Sequence, residues 1–141
     1  MGVDRLVPVV TQRTIVDRPK LDRLRSHMIE AAEQCARTAL PVLAESVKLA
    51  ALLRDWPAER VLFFADETGG LPAFAAMRAR RGPAAILIGP EGGFTEEERA
   101  AIRALPQAVG VGLGPRILRA DTAAAAAVSL WMAACGDWQE D

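Results

Sequence analysis

Apolar residues recur along this chain with two alternating periods, and each change of period marks the start of a new element. Arg5-Leu6-Val7-Pro8-Val9-Val10 is a short β-branched run whose proline confines it to a sheet edge or a strand start. From Asp17 the spacing becomes helical. Asp17 can cap a helix, Pro19 suits its first turn, and Leu21, Leu24, Met28, Ala32 and Cys35 recur on one face. Arg23, His27, Glu30, Gln34 and Arg37 take the opposite face, and Pro41 stops the helix. A second helix is expected over 46–56, closed by Pro57. Val61-Leu62-Phe63-Phe64-Ala65 is apolar throughout, as a strand covered on both faces must be.

The same alternation continues to the end of the chain. A loop over 66–70 leads to a helix over 71–81, ended by Gly82-Pro83, and then to a second buried strand over 84–88. Thr95 with Glu98 three residues on forms a capping box that opens the next helix. A strand over 108–112, a loop over 113–119 and an alanine-rich helix from about Thr122 to Cys135 complete the pattern. That last helix has little polar face, so something must cover it. Strands alternating with helices predict an α/β domain with a mainly parallel sheet and flanking helices.

Length and composition narrow the class. The 141 residues fit one domain spanning 1–141, and 51% hydrophobic with 25% charged residues is the balance of a folded globular chain. The longest nearly uncharged run, 122–136, falls short of the about 20 apolar residues that a membrane helix needs, and the first residues carry no secretory pattern. A cytoplasmic location is therefore expected, with no membrane partner. Cys35 and Cys135 lie far apart with no histidine cluster nearby, so no metal site is expected and both read as small buried apolar residues. His27 is the only histidine, which leaves little basis for a Ser-His-Asp or Cys-His enzyme. The formal net charge is -1, but residues 13–25 hold five basic and two acidic side chains, whereas 121–141 hold four acids and no lysine or arginine. One edge could thus meet phosphate, or simply be a solvated helix face.

Ligands of parallel α/β sheets bind beyond the carboxyl ends of the strands, which points to the loops after Ala65, Ile88 and Gly112. Gly89-Pro90-Glu91-Gly92-Gly93 sets three glycines and a rigid proline between a buried strand and a helix start, so backbone amides can line a pocket. Leu113-Gly114-Pro115-Arg116-Ile117-Leu118-Arg119 repeats the recipe with two arginines around an apolar pair, and that pair should fold inward. Either loop alone could be a plain tight turn. Neither carries a dinucleotide or P-loop fingerprint, and Glu96, Glu97 and Glu98 oppose an anion at the Thr95 helix start.

Ile88 to Phe94 with its acidic helix start, and Leu113 through Ala120-Asp121-Thr122-Ala123, resemble the two signature segments of the SPOUT methyltransferases. The closest resemblance is to the RsmE-type enzymes, which methylate N3 of a uracil in small-subunit ribosomal RNA. Glu30-Ala31-Ala32-Glu33-Gln34-Cys35-Ala36-Arg37 and Val7-Pro8-Val9-Val10-Thr11-Gln12-Arg13 resemble that family's earlier segments, so the likeness runs through the chain in order. Asp121 stands where the family usually has Glu, and Ala36 where it usually has Gly. Family members also carry an N-terminal PUA-like barrel, which implies that this chain is N-terminally truncated relative to them.

The resemblance implies a C-terminal trefoil knot, with S-adenosylmethionine held by Ile88, Gly89, Pro90, Glu91, Gly92, Gly93, Leu113, Gly114, Arg116, Ile117 and Leu118. It implies a ribosomal RNA or small-subunit partner, and a homodimer through the last helix at Val128, Leu130, Trp131 and Met132. Methyl transfer to uracil N3 needs alignment, loss of a proton and a cation beside the resulting anion. Arg13, Arg37, Arg116 and Arg119 are the candidate cations, and Glu30 and Glu91 the candidate bases. A second reading keeps the fold without turnover, as a dimerising RNA-binding fragment.

Overall fold

The computed structural model describes residues 1–15 and 20–139. Asp17 and Pro19, expected to open the first helix, lie outside the described residues. In chain order the elements are β1 (Arg5–Leu6), β2 (Val9–Val10), α1 (Leu21–Gln34), β3 (Val42–Leu43), β4 (Val47–Lys48) and α2 (Leu49–Arg54). They continue with β5 (Val61–Ala65), β6 (Leu71–Pro72), α3 (Ala73–Arg78), β7 (Ala84–Leu87), α4 (Glu96–Ala104), β8 (Ala108–Gly112) and α5 (Ala120–Ala134).

A four-stranded parallel sheet in the order β6-β8-β5-β7 forms the centre. β5 is flanked on both sides, and its residues alternate between two cores as a period of two requires. Phe63 packs with Ala76, Met77, Val109, Val111 and Ala134 on the face that α3 and α5 cover. Leu62 and Phe64 point the other way, to Leu49, Leu87, Phe94 and Ile102 on the α2 and α4 face. All three are at most 1% exposed, and each contributes roughly 2–3 kcal/mol by leaving water. This double cover is why the strand reads as an unbroken apolar run.

Several expected boundaries move, each for a local reason. Leu71-Pro72 is an edge strand paired with Val111 and Gly112, so α3 begins only at Ala73. Proline is tolerated there because an edge strand need not donate from that position. Residues 47–48 form a strand instead of a first helical turn, pairing in parallel with Val9 and Val10 while β1 pairs with β3. α1 ends at Gln34, well before Pro41, in a Schellman turn: Arg37 N–H donates to the Ala32 carbonyl at 2.9 Å and Ala36 N–H to that of Glu33 at 3.3 Å. Ala36 takes the left-handed conformation, φ 52°, that such a turn demands at this place. Cys35, expected to be buried, is exposed because it caps this helix end, whereas Cys135 is half-buried with Sγ toward the Met77 carbonyl at 3.1 Å.

The cover for α5 comes from within the protein. Leu130 and Trp131 pack against the Phe63 core, Met132 is 5% exposed, and Val128 is half-buried. Much of the expected dimer seam is thus already engaged against α3 and the sheet.

Candidate functional site

A cavity of about 500 Å³ opens at the carboxyl ends of the parallel strands. Three loops wall it, one after each of β5, β7 and β8. β5 lies between β7 and β8 in the sheet, so the two glycine-bearing loops are not on neighbouring strands and the β5 loop fills the space between them.

From the β7 loop the lining residues are Ile88, Gly89, Pro90 and Glu91, with Phe94 behind them. Gly92 and Gly93 turn elsewhere. An added Cβ on Gly92 would meet the Arg13 side chain at 3.3 Å, and one on Gly93, already at φ 71°, would stand 2.7 Å from a Glu67 carboxylate oxygen. Gly89 is kept small by the Phe94 ring, 3.1 Å from where a Cβ would lie. The loop's glycines therefore answer first to packing within the protein.

From the β8 loop come Leu113, Gly114, Pro115, Arg116, Ile117, Leu118 and Arg119. Gly114 has φ 107°, a conformation reserved for glycine. Leu113 packs against the Phe63 core and Leu118 is half-buried, but Ile117, expected to fold inward, is 85% exposed at the cavity mouth. The Arg119 guanidinium lies 3.8 Å from Asp121, and both are well exposed, so water leaves that pair worth little.

The third wall is the loop after Ala65, which the sequence pointed to by its place at a strand end but none of whose residues it assigned to the site; Ala65, Asp66, Glu67, Gly69 and Gly70 line the cavity. Asp66 is buried at 6% exposure and accepts from Arg103 Nη2 at 2.6 Å, Arg103 Nε at 3.2 Å, Thr68 Oγ1 at 2.7 Å and Thr68 N–H at 3.1 Å. Burial pushes its pKa up, yet the bonds from Arg103 and Thr68 outweigh it and hold the carboxyl below its ordinary value. The pair ties the β5 loop to α4. Gly70 sits against the β8 backbone, where an added Cβ would be 2.5 Å from the Val111 nitrogen. An Asp-x-Thr-Gly-Gly segment after a buried strand was the available signal, but the partner, Arg103, lies 37 residues away.

The remaining candidates sit at varied distances from this centre. Arg13 does not line the cavity but lies against the β7 loop, donating from Nη1 to the Gly92 carbonyl at 2.8 Å. Glu30 is exposed on α1, and Arg37 Nη2 donates to the Val3 carbonyl at 2.9 Å; neither lines the cavity. A second groove of about 460 Å³ between α1, β1 and β3 is lined by apolar residues and His27. Among the described residues no cluster of three or more metal-ligating side chains occurs, and no helix is long and apolar enough to cross a membrane.

Residues 1–132 match the family model of the RNA methyltransferase domain. Ribosomal RNA small subunit methyltransferase E of Rickettsia conorii is 26% identical over 133 residues, which cover 92% of this chain and 53% of that protein. The crystal structure of the Neisseria gonorrhoeae ribosomal RNA small subunit methyltransferase E bound to S-adenosylmethionine is similar at TM-score 0.86 and 31% identity, covering 98% of this chain and 58% of the other. A Legionella pneumophila methyltransferase in complex with the same cofactor aligns at TM-score 0.76 and 30% identity, over 95% of this chain and 57% of the other. The chain thus spans little more than half the length of these relatives.

Proposed function

Since the chain belongs to the RNA methyltransferase domain family that residues 1–132 match, we propose that it is a catalytic SPOUT domain that methylates N3 of a uridine in small-subunit ribosomal RNA. The observation that carries this reading is the convergence of the β7 and β8 loops on one cavity at the carboxyl ends of the parallel strands. A trefoil knot formed by the chain after β8 belongs to the same reading, as does a homodimer. The dimer would use the stripe of α5 left uncovered, with Ala125 exposed and Val128 and Ser129 half-buried. Sedimentation velocity tests it, a monomer at tens of micromolar being the contrary result.

The walls suit S-adenosylmethionine. A volume of about 500 Å³ lies within the roughly 300–1,000 Å³ of small-molecule sites. Ile88, Leu113 and Leu118 offer apolar surface for a nucleoside, Glu67 and Glu91 stand at the cavity for its cationic groups, and Arg116 and Arg119 for its carboxylate. When bound, the donor supplies an electrophilic methyl on a sulfonium. The protein's own part is to hold the reactants in line and keep bulk water away. Arg119, which lines the cavity, and Arg13, which lies against the β7 loop, are the cations that can stabilise negative charge on the uracil oxygens as N3 loses its proton. Glu91, which has no hydrogen-bond partner among the described residues, is the base that reaches the cavity, whereas Glu30 and Arg37 lie outside its lining.

Titration calorimetry with S-adenosylmethionine, followed by methyl transfer from a labelled donor to small-subunit RNA and mapping of the modified nucleotide, tests the reading. A folded chain that binds no donor would sink it. Donor binding without transfer would favour an RNA-binding module that keeps the fold and lacks turnover.

A further inference from the structure

Two segments far apart in the chain meet at one buried carboxylate. Glu98, 8% exposed, sits in the first turn of α4, and its two oxygens serve different partners. Oε2 accepts the Thr95 N–H at 2.9 Å, which completes the capping box; Oε1 accepts the Gln12 N–H at 2.7 Å, from 86 residues earlier. A capping box needs only the first of these bonds. The second anchors the segment ending in Arg13, whose stem lies along Gly92 and whose guanidinium meets the Gly92 carbonyl. Thr14 Oγ1 accepts the Thr11 N–H at 2.9 Å and Thr14 N–H donates to the Thr11 carbonyl at 3.3 Å, so residues 11–14 form a short closed turn.

The bond from Arg13 is exposed and competes with water, so it cannot fix the arm alone. The bond to Glu98 is part-buried and charge-assisted, which makes it the stronger anchor. We propose that Glu98 is a positioning residue for methyl transfer: it clamps the 11–14 arm onto the glycine loop and so sets Arg13 against the outer side of the loop that walls the donor cavity. The inference rests on the reading that this cavity holds S-adenosylmethionine and that Arg13 meets the RNA base. Only a carboxylate can accept both backbone N–H groups, because a glutamine turns its own NH2 toward one of the donors.

The test uses the 141-residue chain and the variants E98Q, E98D, R13A and E98Q/R13A, with T95A as a control that weakens the cap and spares the Gln12 bond. Donor affinity is read by calorimetry, kcat and RNA KM by transfer of labelled methyl, and the Gln12 and Arg13 amides by hydrogen exchange. In E98Q, kcat is expected to fall about tenfold, the equivalent of one charge-assisted hydrogen bond. Donor Kd stays within about threefold, protection at Gln12 is lost, and T95A keeps both kcat and that protection. E98Q/R13A is expected to be no slower than R13A, since a clamp has nothing left to position.

Unchanged Gln12 protection in E98Q, or additive losses in the double variant, would overturn the proposal. E98D, whose shorter carboxylate keeps the charge but spans only one N–H, decides the matter if E98Q does not fold. Failure of the wild-type chain to bind S-adenosylmethionine would instead remove the functional reading, and the exchange result would still decide whether the clamp exists.

Discussion

Replacing Asp66 by asparagine probes the link between the β5 loop and α4 with almost no change of shape. The asparagine oxygen can keep the two bonds from Thr68, but its NH2 faces Arg103 Nε and Nη2, so two donors oppose a third. Two charge-assisted bonds are lost, each worth about 1.5–3 kcal/mol in burial. Arg103 is 44% exposed and regains water, so the net cost is discounted to about 2 kcal/mol. For a chain of this size that is a fall of roughly 6 °C in Tm. The pH dependence has a definite sign. Because the folded-state pKa of Asp66 lies below the unfolded value of 3.8, its contribution is complete above that value and is lost as pH falls through the folded pKa. Urea unfolding of wild type and variant at pH 7 and pH 3 should therefore show a gap that narrows at the lower pH. A gap under about 0.5 kcal/mol at pH 7, within the ordinary scatter of surface changes, or one equally large at pH 3, would refute the reasoning.

Gly70→Ala should destabilise by about 1–3 kcal/mol through overpacking, because the new Cβ meets the Val111 backbone at 2.5–2.6 Å and no side chain can yield. Donor affinity in calorimetry should fall with it, since Gly70 and Val111 both line the cavity; an unaltered Tm would remove the close approach. Ala36→Gly should instead stabilise by about 0.5–1 kcal/mol, as relief of left-handed strain at φ 52° exceeds the extra chain freedom of glycine. A lower Tm in thermal denaturation would contradict that turn. Phe63→Ala should cost about 3–5 kcal/mol, given its complete burial between α3, α5 and the sheet, and denaturant unfolding with a shift under 1 kcal/mol would overturn that assignment of the core.

Local chemistry was enough for much of the central architecture. The run 61–65 is apolar on both faces, so it could only be a covered strand, and β5 occupies those residues. Thr95 and Glu98 close the capping box that their spacing announces, and β8 spans the expected 108–112. Signals of this kind act over a few residues, through propensity and periodicity, and so survive without knowledge of the fold. Two of the three cavity loops were legible for the same reason: glycine, proline and arginine in a short loop after a buried strand announce a special backbone wherever they stand.

What remained hidden depended on partners distant in the chain. β3, β4 and β6 are two residues each and exist because β1, β2 and β8 lie alongside to take their hydrogen bonds. Asp66 is an ordinary loop acid until Arg103 is brought beside it, and Glu98 an ordinary cap until Gln12 donates to it. Likewise α5 reads as an apolar helix in need of a partner, and only the placement of α3 and β7 supplies that partner from within the protein. Period and propensity determined where this chain is helix, strand or special turn. Which strand ends meet around the cavity, and which charges face each other there, was decided by tertiary packing, because burial and pairing energies are properties of the neighbours and not of the residue alone.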